Sequence, residues 1–105
     1  HGAISLITAG MPVVALATNA QLKEKMRSNM REVRSRGAKV LLIAADETRE
    51  LNEDADEAIL LPKASALFSP VTAAVAMQLL AYYAAVRRGC DVDKPRNLAK
   101  SVTVE

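Results

Sequence analysis

Two short apolar runs, "PVVALA" at 12–17 and "KVLLIAA" at 39–45, are separated by one stretch of helical pattern and one glycine. That arrangement leaves few folds open. Each run is too short for a helix and lacks polar alternation, the pattern of a strand buried on both faces of a sheet. Strands joined by a helix-length crossover run parallel, and the crossover is almost always right-handed. In the connection, Thr18 and Gln21 have capping-box spacing, with Asn19 a rival N-cap. Leu22, Met26, Met30 and Val33 recur at helical spacing and make one apolar stripe. Gly37 supplies the left-handed residue that ends such a helix. Residues 12–45 therefore read as a βαβ unit.

The rest of the chain extends that unit. "DETRELNEDADE" (46–57) holds seven acids and one arginine without an apolar period, and reads as a solvated loop or short surface helix. "AILL" (58–61), stopped by Pro62, reads as a third short strand. Ser69-Pro70 predicts a helix start, with Ser as N-cap and Pro at the first helical position. From 70 to 86 the clearly polar side chains are Thr72, Gln78 and the hydroxyls of Tyr82 and Tyr83. Arg87, Arg88 and Gly89 close the helix, the cations lying at the favourable end of its dipole. A helix apolar on nearly all sides is expected to be buried, or shared with another subunit. Its seventeen Ala-rich residues fall short of the roughly 20 apolar ones that span a bilayer, so no membrane is expected.

The expected class is α/β: a three-layer, doubly wound, largely parallel sheet. Three strands are few for such a sheet, and the chain opens on His1 rather than Met, so it reads as a piece of something longer. The apolar start faintly resembles a signal peptide, but it has no basic leader and Gly10-Met11-Pro12 interrupts it. With 105 residues there is room for one domain. Aromatics are 3% of the chain, so the core must be aliphatic. A single cysteine, Cys90, cannot pair internally, which fits a reducing, cytoplasmic compartment.

Most chemical motifs are missing. Glycines at 2, 10, 37 and 89 never cluster into a phosphate loop, and one His with one Cys cannot fill a metal's coordination shell. No cofactor is expected. The helix with Lys23, Lys25, Arg27, Arg31, Arg34 and Arg36 could face phosphates. Without interleaved aromatics, and with a net charge of +2, a solvated face is the better reading and no nucleic acid is expected. Asp91 beside Cys90 opposes thiolate formation, so the thiol reads as inert. His1 has an imidazole suited to proton transfer near neutrality, but its position alone assigns no role.

The irregular end of the chain holds one more amine, Lys100. A tail lysine is ordinarily solvated surface. Here Leu98, Ala99, Val102 and Val104 surround it and Pro95 stiffens the approach, as in a tail docked against protein. A lysine docked in an apolar cleft loses its proton more readily and becomes a nucleophile for carbonyls.

"DVDKPRNLAKSVTVE" resembles the C-terminus of the glutamine–fructose-6-phosphate aminotransferase family, whose tails read Asp-x-Asp-x-Pro-Arg-Asn-Leu-Ala-Lys-Ser-Val-Thr-Val-Glu. "HGAISLI" is similar to that family's His-Gly-Pro-x-Ala-Leu-Ile, with Ala3 in place of Pro and Ser5 in place of Ala. "MPVVALA" and "MQLLAYYAAVRRG" match its following strand and last helix. The resemblance implies the second, flavodoxin-like sugar-isomerase (SIS) subdomain of the isomerase half at residues 1–89, with a tail at 90–105. It implies Lys100 as the amine that forms a Schiff base with fructose 6-phosphate, and His1 as the group that opens the sugar ring. It further implies Ala99 as a substrate contact, ammonia drawn from glutamine in a separate domain, and a homodimer in which His1 serves the neighbouring site. The Ser/Thr-rich loops that hold the sugar phosphate, and a proton-shuttling glutamate, would lie upstream of His1. The chain alone is then expected to be inactive.

Two other roles fit the same fold. A sugar-phosphate-sensing SIS domain of a regulatory protein needs no lysine at 100, and neither does a half-domain kept for subunit association. Reactivity of Lys100 with a ketose separates the enzyme from both.

Overall fold

The computed structural model describes residues 2–96. Three strands, Pro12–Ala17 (β1), Lys39–Ala44 (β2) and Glu57–Leu60 (β3), form one sheet in the order β1-β2-β3, with both pairs parallel. Two α-helices, Lys23–Ser35 (α1) and Ser69–Arg87 (α2), accompany the sheet, and 3-10 segments cover Gly2–Leu6, Ala20–Leu22 and Asp46–Asp54. The class and the parallel βαβ unit are as the apolar runs require. Strand order increases steadily across the described residues, which is one wing of a doubly wound sheet.

Register divides the sheet into two unlike faces. Val13, Ala15 and Ala17 of β1 pair with Val40, Leu42 and Ala44 of β2, so their side chains share one face. That face carries the core: Ala15, Ala17, Val40, Leu42 and Ala44 are buried with Met30 from α1 and Leu51 from the acidic segment. Met26, Val33, Ala55 and Ala58 pack around them. Full burial of an aliphatic side chain such as Leu42 or Leu51 stabilises by about 1.5–3 kcal/mol. The opposite face carries Val14, Leu16 and Ile59, which are about 40% exposed, around a fully buried Ile43. A parallel sheet of this kind normally has both faces covered. Among the described residues the second face is covered at Ile43 and open at its margins.

The turn into β2 depends on Gly37. Its φ is +91°, and a Cβ there would lie 2.9 Å from the Cα of Ala9. The close approach lets Gly10 N–H donate to Gly37 O at 2.7 Å and Lys39 N–H to Met11 O at 2.8 Å. These bonds set the start of the β1–β2 ladder.

Several local expectations are corrected. No Thr18–Gln21 capping box forms; the rival cap Asn19 accepts from Gln21 N–H at 2.9 Å through its side chain, and a 3-10 turn precedes α1. Leu22, placed on that turn, is 54% exposed and leaves the apolar stripe. Ser69 is the first helical residue rather than the cap, and its hydroxyl donates to Ala66 O at 3.1 Å.

The acidic stretch is not simply solvated. Its 3-10 coil turns Thr48, Leu51 and Asp54 inward, a period of three that suits this tighter helix and that an α-helical template misses. Nor is α2 buried within this chain: Ala73 alone of its 19 residues is buried. Val71, Val75, Leu79, Tyr82, Tyr83 and Val86 are about half exposed or more. With Ser69 and Arg87 included, α2 is long and apolar enough to cross a membrane by length and composition, at a mean hydropathy of 1.3. The radius of gyration, 16.3 Å, exceeds the roughly 13 Å of a compact chain this size, as expected when α2 stands off the core.

Candidate functional site

Lys100, Ala99 and His1, the residues singled out in the sequence, lie outside the described residues. What the structure describes is the platform from which the lysine-bearing tail departs. Gly89, at φ +70°, reverses the chain after α2, and its N–H donates to Val86 O at 3.0 Å. Cys90 N–H reaches back to Ala85 O at 2.9 Å, so the last carbonyls of α2 are satisfied by its own cap. Asp91 then folds the next residues into a turn: its Oδ1 accepts from Asp93 N–H and from Lys94 N–H, both at 3.0 Å. Pro95 follows, with φ fixed by its ring.

Between this turn and the C-terminal half of α2 lies an open groove of about 1080 Å³. Gln78, Tyr82, Arg88, Cys90, Lys94 and Arg96 are among its lining residues. In the sequence these cations read only as helix-dipole partners and tail. Their common wall follows from the reversal at Gly89, which no side-chain pattern announces. A second hollow lies at the carboxyl ends of β2 and β3, where α/β sheets commonly hold ligands. It is bounded by Ala45, Asp46, Lys63, Ser69 and Thr72 and admits about 10 Å³, too little for more than one water.

Three carboxylates elsewhere are committed to structure. Asp54 accepts from Arg31 Nε at 2.7 Å and from Arg27 Nη1 at 2.9 Å, and its side chain is 10% exposed. The Arg31 hydrogen bond, opposed by desolvation and aided by both positive charges, holds its pKa below the usual aspartate value. Glu50 is likewise lowered, chiefly by the bond to Lys23 Nζ at 2.6 Å. Asp56 is lowered chiefly because its Oδ2 accepts Val40 N–H at 2.8 Å. Groups that stay ionised and paired at neutrality are poorly suited to proton transfer. The basic face of α1 is thus an ion-pair lattice with the acidic segment, rather than a freely solvated surface. Among the described residues no group of three or more His, Cys, Asp or Glu is placed to hold a metal ion.

A family model described as "SIS domain" matches residues 1–88. Over all 105 residues the chain is 53% identical to a glutamine–fructose-6-phosphate aminotransferase (isomerizing) of Clostridium acetobutylicum, and 55% identical to one of Symbiobacterium thermophilum. It spans 17% of the length of each. Among solved structures, the C-terminal domain of glucosamine-fructose-6-phosphate aminotransferase from Francisella tularensis superposes with a TM-score of 0.80 and 32% identity. That match covers 90% of this chain and 27% of the other.

Proposed function

The chain belongs to the SIS domain family, and on that premise we propose that it is the C-terminal SIS subdomain of a glutamine–fructose-6-phosphate aminotransferase, with the subdomain at 1–89 and the catalytic tail at 90–105. The observation that carries this reading is identity above one half, along the whole chain, to relatives of that name. The lysine-bearing tail is part of the stretch so matched.

In this reading Lys100 Nζ adds to the ketone carbon of open-chain fructose 6-phosphate and water leaves, forming an imine. An imine accepts a nucleophile more readily than the ketone, so one difficult step becomes two easier ones. Ammonia released from glutamine in another domain displaces the lysine. A proton then moves from C1 to C2 of the sugar, giving glucosamine 6-phosphate. His1 moves the proton that opens the sugar ring, serving the neighbouring subunit's site in a homodimer, and Ala99 contacts the substrate. The phosphate loops and the proton-shuttling glutamate come from elsewhere in the parent protein. The 105-residue chain by itself is therefore inactive. The reading assigns the reaction to the cytoplasm and involves no membrane, nucleic acid or cofactor.

The test is borohydride reduction of the intact parent protein with fructose 6-phosphate, followed by peptide mapping. A reduced sugar adduct on the peptide containing Lys100, lost in Lys100→Arg, is the expected result. Fructose 6-phosphate bound without any adduct at Lys100 would favour the sensing role instead.

A further inference from the structure

Between the end of α2 and Pro95 the sequence carries two look-alike acids, Asp91 and Asp93, and the structure sets them apart. Asp91 Oδ1 accepts from Asp93 N–H and from Lys94 N–H, both at 3.0 Å. The carboxylate of Asp93 makes no hydrogen bond or ion pair among the described residues; only its backbone amide is engaged.

The two bonds to Asp91 lie in the middle of a series of backbone constraints. Gly89 N–H and Cys90 N–H are tied to carbonyls of α2, so the chain leaves the helix in a set direction. Asp91 holds the turn that follows. Lys94, preceding a proline, is steered away from helical backbone, and the ring of Pro95 sets its own φ. Residues 91–96 make no other hydrogen bond among the described residues, and all of them are exposed. Packing therefore does not replace the Asp91 bonds: without the acceptor, the series breaks between Cys90 and Lys94.

Lys100 stands six residues beyond Lys94. Six residues reach at most about 20 Å. Over such a reach a modest change of direction at the turn displaces the amine by ångströms, and a misplacement of about 1 Å can cost about a hundredfold in rate.

We propose that Asp91 is a positioning residue for the sugar amination: its Oδ1 sets the turn that aims the Lys100-bearing tail at the ketone carbon. The inference rests on the reading of Lys100 as the imine-forming amine, and adds to it a residue that acts through the backbone. What the turn needs is an acceptor oxygen, not a negative charge. Asp91→Asn keeps that oxygen and Asp91→Ala removes it.

The experiment follows the time course of borohydride-trapped adduct on the Lys100 peptide, in the intact parent protein with fructose 6-phosphate. Asp91→Ala should slow trapping about tenfold, the effect of losing two hydrogen bonds of ordinary net strength. The half-saturating concentration of fructose 6-phosphate and the thermal midpoint should stay near those of the parent, a split that a merely structural defect would not give. Asp91→Asn should trap at the parent's rate, and so should Asp93→Ala, which removes a carboxylate that bonds nothing in the turn. Slowing by Asp91→Asn equal to that by Asp91→Ala, equal slowing by Asp93→Ala, or sugar binding lost in step with rate would overturn the proposal. An adduct formed as fast by Asp91→Ala as by the parent would overturn it alone. No adduct on Lys100 even in the parent would overturn it together with the reading beneath it.

Discussion

At the scale of single residues, two positions hold the opposite ends of the β1–β2 ladder, and they differ in how visibly the sequence marks them. Gly37 ends a helical pattern, and its left-handed role is legible because few other residues tolerate that backbone. Gly37→Ala should cost about 2 kcal/mol or more in chemical denaturation, since it adds a contact with Ala9 to the strain of φ +91°. Thr48 is fully buried in a stretch that reads as polar surface. Its hydroxyl donates to Ala17 O, and its oxygen accepts Ala45 N–H at 3.1 Å, tying the end of β1 to the start of the acidic coil. Thr48→Val keeps the volume and leaves Ala17 O and Ala45 N–H with only their long mutual bond of 3.4 Å. It should destabilise by about 1–3 kcal/mol, where Thr48→Ser should lose much less. Nothing in the local sequence separates Thr48 from an exposed threonine; the partner that buries it is 31 residues away.

At the scale of elements, strands and helices were legible because hydrophobic period and breaker residues act locally. What packs against what was not. The ion-pair lattice between α1 and Asp46–Asp54 joins groups 23 and 27 residues apart, so neither segment alone reveals it. It has a pH signature with a definite sign. Asp54 and Asp56 have folded pKa values below the ordinary 3.8, so the stability they contribute is fully present above that value. It is lost as the pH falls below 3.8 toward the folded values. Asp54→Asn should therefore lower the unfolding free energy at neutral pH, by about 2 kcal/mol for a mostly buried carboxylate with two guanidinium partners. The gap between variant and parent should close toward pH 3. A gap that stays constant down to that pH would mean the ion pairs contribute nothing beyond shape.

At the scale of the whole molecule, the uncovered surfaces set the behaviour. Val14, Leu16 and Ile59 on the outer sheet face and Val75, Leu79 and Tyr83 on α2 leave large apolar side chains open on two elements, the kind of surface that marks an interaction site. A chain that spans 27% of a solved C-terminal domain can lack the layers that would cover it. The same separation explains the limit of the sequence reading: an all-round apolar helix says that α2 must be covered, not by which segment. The isolated chain should accordingly bind an apolar dye and show concentration-dependent mass by sedimentation, driven by about 25 cal/mol for each Å² hidden. Leu79→Lys with Tyr83→Lys should abolish most of the association while leaving the β1–β2–α1 core folded, because neither residue belongs to that core. A longer polypeptide restoring the rest of the C-terminal domain should bind the dye weakly. If the isolated chain instead sediments as a single monomer without dye binding, α2 folds back onto the sheet in solution, and Ala73 is then the first contact of a larger buried face.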